Sequence, residues 1–171
     1  MVLNGAQFHM LANHLPVIGF LGMVIALGVA IKMSSLDVKR FVLMATALVG
    51  LSSLAALWTG EPAEEAVEHL PGVSEALIHE HEEAGEFANI LALFTAFAAL
   101  GALYWQKRDA LSLKKSLVGV WILSIITLAA MAKAAHEGGK IRHPEIRGDA
   151  ATGSFTNQPA AHEDEEYGED E

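Results

Sequence analysis

The residues able to do chemistry crowd into one stretch, Gly60 to Glu86, which carries nine carboxylates, three histidines and no Lys or Arg. Neutral imidazole and carboxylate are ligands that Zn, Fe, Cu or Mn accept, so a metal centre is the chemistry this stretch offers. Glu61 and Glu65 stand four residues apart, which puts both carboxylates on one side of a helix. His81 lies further along the same stretch, His9 and His14 precede it, and His143 follows it. There is no cysteine, which excludes disulfides, thiolate sites and c-type haem attachment. The candidate metal ligands are therefore His14, His81, Glu61, Glu65, His9 and His143. His14 and His81, on facing helices, form the pair able to hold a cofactor, a single haem b. A second haem near the opposite surface has no His to ligate it, so a two-haem transmembrane conduit is disfavoured. Di-metal oxidase chemistry asks for a Glu-x-x-His pair on each of two helices inside a bundle, and that pattern is not reproduced.

A stretch this acidic lies outside the hydrocarbon of a membrane, because burying each ionised group there costs several kcal/mol. It is flanked by apolar runs. Hydrophobic residues make up 52% of the 171 and mean hydropathy is +0.33, both high for a soluble domain. The apolar residues cluster into four runs near the ~20 residues that a helix needs to cross a bilayer, at about 15–33, 40–59, 86–105 and 116–136. The expected fold is an all-α, integral membrane bundle of four transmembrane helices occupying 1–147. Residues 60–85 make its outer loop, with a short amphipathic helix over 62–70. Residues 148–171, small, polar and acidic, read as a disordered acidic C-terminal tail. Pro16 either begins the first membrane helix or kinks a longer one. Gly138 and Gly139 are expected to supply a left-handed cap that ends the fourth.

On the third helix, successive residues rotate by about 100°, so His79 and His81 point in opposite directions. His81 continues the apolar stripe; His79 sits among carboxylates in water.

The segments HMLANHLPVIG, TGEPAEEAVEHLPGVSE, HEE and GGKIRHPEI resemble a bacterial family of predicted four-helix membrane proteins of unknown function. That resemblance touches both ends of roughly 140 residues. It implies a four-span bundle in which His9, His14, His81 and His143 are recurrent positions, and it carries no settled activity.

The net charge of −10 argues against nucleic acid, whose phosphates are neutralised by Lys and Arg. Lys32, Lys39 and Arg40 lie between the first two spans, and Lys107, Arg108, Lys114 and Lys115 between the last two. By the positive-inside rule both of those loops are cytoplasmic. The expected location is the bacterial inner membrane, with both termini and all eight histidines outside. Two functions fit: binding a metal ion or haem on the periplasmic face for redox or metal handling, or service as a non-catalytic accessory subunit. In either case the partners are the lipid bilayer and a periplasmic redox protein or membrane complex, a basic one matching the acidic face. A periplasmic reporter fused after Glu171 is expected to be active and a cytoplasmic one inactive; the opposite pattern refutes the outward placement of the histidines.

Overall fold

The computed structural model describes residues 4–105 and 110–147. Four long helices form there: α1 Gly5–Lys32, α2 Leu36–Glu65, α3 Glu75–Trp105 and α4 Ala110–Arg142, followed by a single 3₁₀ turn at Pro144–Ile146. The expected tail at 148–171 lies outside the described residues, as do Lys107 and Arg108. Each long helix has the length and apolar character to cross a membrane. At 1.5 Å per residue they measure about 42–50 Å, against a hydrocarbon thickness of ~30 Å. Most of the extra turns of α1 and α3 lie at the end that carries the stretch 60–86.

Several boundaries differ from those read in the sequence, each for a local reason. α1 starts ten residues earlier, at Gly5, because Asn4 and Gln7 form a reciprocal cap: Gln7 N–H donates to Asn4 Oδ1 (2.9 Å) and Asn4 N–H to Gln7 Oε1 (3.1 Å). Pro16 lies inside this helix. α2 does not stop at Gly60 but runs through Pro62 to Glu65, so the start of the expected surface helix is the last turn of α2, and only turns follow. α4 passes through Gly138 and Gly139 to Arg142, and Gly72 (φ 80) holds the left-handed conformation instead. The two glycines are therefore not a cap. Their small size has another use, described below.

Each helix packs on its neighbours in sequence, and α1 also meets α4, closing a ring of four antiparallel helices. On α3 small residues line the inside and large ones the outside, whereas Phe20, Leu27, Leu43 and Leu117 fill the core from the other helices. The buried face of α3 is Ala84, Ala88, Ala92, Ala96, Ala99 and Ala102, while Ile90, Phe94 and Phe97 are exposed. Lipid is as apolar as these outer side chains, so close packing and internal hydrogen bonds hold such helices together. Buried hydroxyls and an amide supply the bonds. Ser53 Oγ donates to Asn89 Oδ1 between α2 and α3 (2.5 Å), the Thr95 and Thr127 hydroxyls meet between α3 and α4 (2.8 Å), and the Trp121 indole donates to Val24 O between α4 and α1 (2.9 Å).

The tightest approach is at Gly50, where an added Cβ meets Ala92 O at 2.6 Å and Ala96 Cβ at 2.8 Å. Gly50→Ala is expected to cost about 1–3 kcal/mol of stability through overpacking, read from the unfolding midpoint in detergent. Gly22, with nothing within 4 Å, is the comparison site, where the same substitution is expected to be harmless.

Candidate functional site

Alternating helix direction gathers the start of α1, the end of α2, the start of α3 and the end of α4 at one end of the bundle. This end carries the carboxylate-rich stretch. Glycines set how closely its elements meet. A Cβ on Gly5 would lie 2.0 Å from Pro62 O, so only glycine lets the first turn of α1 rest on the α2 backbone. One turn later His9 arrives beside Thr59 and Gly60.

Hydrogen bonds fix the protonation pattern of His9. Thr59 Oγ1 already donates to Ala55 O (2.8 Å), so at 2.9 Å it accepts from His9 Nδ1–H. The opposite nitrogen, Nε2, then accepts from the Asn13 amide at 2.8 Å. His81 is held in the same form. Its Nδ1 lies 2.9 Å from Ala134 O, a carbonyl that only accepts, so Nδ1 carries a proton there and Nε2 is on the side of the ring away from that bond. The ring rests over Gly138, where a Cβ would meet Cε1 at 2.9 Å and Nδ1 at 3.0 Å. The glycine at 138 is thus a seat for an imidazole.

The two rings meet edge to face, with centroids 6.3 Å apart and planes at 86°. Two imidazoles, both protonated on Nδ1 and both half-buried, converge from α1 and α3. An oxygen acceptor on the inner nitrogen is the arrangement that orients metal-ligating histidines.

The other candidates lie elsewhere. His14 is exposed and donates to Met10 O of its own helix (2.5 Å); it is not brought to His81, and His9 takes the place that the sequence reading gave it. The reason is rotation, since residues 9 and 14 lie about 140° apart on a helix. Glu61 and Glu65 are exposed. His143 is exposed and donates to Glu145 Oε1 (2.9 Å). Glu145 also accepts from its own backbone N–H, and that bond, with His143, holds its carboxyl below the usual range. His79 is exposed, beside Glu82 and Glu83. Among the described residues no group of three or more His, Cys, Asp or Glu side chains is placed to hold a metal ion.

Asn13, Thr59, Ala134 and Gly138 were missed by the sequence reading. Asn13 stands one helical turn from His9, a spacing that marks a shared face, and so was legible. The backbone carbonyl of Ala134 carries no sequence signal at all. A fifth contributor, Arg147, closes this end: its guanidinium donates to Lys140 O (2.6 Å), Ile141 O (2.8 Å) and, across to the α2–α3 connection, Gly72 O (3.1 Å).

Compared with family models, curated proteins and solved structures, the chain matches none. The site must be read from its own geometry.

Because the Gly138 position is filled by the His81 ring, Gly138→Ala is expected to push the imidazole off Ala134 O. The check is ¹⁵N-histidine NMR, in which the hydrogen-bonded Nδ1–H signal of His81 should disappear while that of His9 persists.

Proposed function

We propose that this is an integral membrane protein that holds a transition-metal ion or a haem iron at its periplasmic end, through His81 and His9, for redox or metal handling. The observation that carries this is the bond from His81 Nδ1–H to Ala134 O, which presents Nε2 as a ligand opposite a second imidazole in the same tautomer. Glu61, Glu65, His14 and His143 are left out, because their side chains lie apart from the pair.

The ligand count separates the candidates. Structural zinc takes four protein ligands and catalytic zinc three, whereas two histidines complete a haem b iron, whose porphyrin supplies the rest. His9 and His81, with ring centroids 6.3 Å apart, would be the two residues to hold that iron, which would supply one-electron redox chemistry when bound. A bare Zn, Cu or Fe ion on the same pair needs water or a partner's group to fill its remaining positions.

The second reading is a non-catalytic accessory subunit. It is favoured by the exposed carboxylates Glu61, Glu65, Glu82 and Glu83 at this end, a surface suited to a basic periplasmic partner.

Elemental analysis and an optical spectrum of the purified protein decide between them. A stoichiometric metal or a Soret band is expected in the wild type. His81→Ala and His9→Ala should lose it, His14→Ala and His79→Ala should keep it, and Thr59→Val should weaken it by ~10–100-fold, the usual cost of removing a ligand's hydrogen-bond partner. Neither metal nor Soret band in the wild type would leave the accessory reading.

A further inference from the structure

A cleft of about 480 Å³ opens between α3 and α4 at the carboxylate-rich end, lined by Glu80, Glu83 and Phe87 on one side and by Ile126, Lys133 and Glu137 on the other, with alanines as its floor. The volume falls within the range of small-molecule sites. Polarity changes along its length. Glu80 and Lys133 are each seven residues, about 10 Å of helix, from Phe87 and Ile126 respectively. The two helices are antiparallel, so both steps run in the same direction, from the charged rim toward the middle of the bundle. Phe87 and Ile126 are exposed on the face that lipid would cover.

The rim charges are not equivalent. Glu137 is taken by Lys140, at 2.5 Å, and Glu83 has His79 Nε2 at 3.3 Å. Among the described residues, Glu80 and Lys133 make no hydrogen bond or contact ion pair, although Lys140 acts electrostatically on Glu80 and Glu137 on Lys133. One anion and one cation, each without a contact partner, therefore stand at the mouth of a cleft with an apolar floor.

We propose that this cleft binds one glycerophospholipid with a primary ammonium headgroup, its ammonium on Glu80, its phosphate on Lys133 and an acyl chain along Phe87 and Ile126. The zwitterion matches these two charges in sign. Its N–H donors suit a carboxylate, whereas a quaternary ammonium has none to give and a glycerol headgroup has no positive charge. Both rim pairs are exposed and so weak individually; selectivity comes from engaging them together over an apolar anchor. The site is separate from the histidine pair and does not rest on what that pair binds.

Native mass spectrometry of the full chain, released from vesicles of equal parts phosphatidylethanolamine, phosphatidylcholine and phosphatidylglycerol, tests this. One ethanolamine lipid should be retained about 3- to 5-fold over either of the others, a preference on the scale of exposed ion pairs. Glu80→Gln should bring it down to the choline lipid and leave choline binding unchanged; Lys133→Gln should weaken all three. Both positions are exposed, so folding is not at risk, and a circular dichroism spectrum confirms it. Retention in proportion to abundance, an equal loss of all lipids in Glu80→Gln, or displacement of the lipid by a prenylquinone would each overturn the proposal.

Discussion

Close approach of helix backbones is the constraint on which the structure rests. Within a bilayer, apolar side chains gain nothing by turning inward, so adhesion depends on contact area and on hydrogen bonds that find no water to compete. The alanine face of α3 and Gly50 of α2 bring those helices near enough for Ser53 to reach Asn89, and α3 near enough to α4 for Thr95 to reach Thr127. The same proximity lets a side chain on one helix find the main chain of the next. An imidazole is short, and His81 touches Ala134 O because nothing larger than Gly138 stands beside it.

The histidine pair is thus a product of packing as much as of ligand chemistry. Four helices contribute, yet each supplies little: α1 an imidazole and an amide, α2 a hydroxyl, α3 an imidazole, α4 a carbonyl and a gap. Every polar contact is directional. With both inner nitrogens tied to oxygen acceptors, neither ring is free to flip without losing a bond that the surroundings do not replace. The pair is thus held rigidly, with the Asn13 amide on His9 Nε2.

Much of the architecture was legible because membrane spans are written in composition. Four apolar runs gave four helices, and the 100° step between residues correctly turned His81 inward and His79 outward. The ends were harder. Glycine at a helix end commonly means a left-handed cap, but Gly138 and Gly139 are helical because the space above them is occupied by His81 and Ile146, a tertiary fact with no local trace. Pro62 looked like a beginning and lies inside the last turn of α2. His14 looked like a ligand because it adjoins the first span, whereas which side of α1 faces α3 depends on how Gly5 seats against Pro62. Backbone acceptors such as Ala134 O are invisible to any reading of residue types.

The clasp made by Arg147 has a consequence for behaviour in acid. Nearby, His143 and Glu145 are joined through a carboxylate. With its folded pKa depressed, Glu145 contributes stability above the usual carboxylate range and loses it as pH falls through the lowered value. Arg147 is different. Its three partners are backbone carbonyls, which do not titrate. As Glu145 takes up its proton, the end of α4 stays tied to the turn at Gly72, so acidification alters the charge beside His143 without untying the elements that frame this end of the bundle.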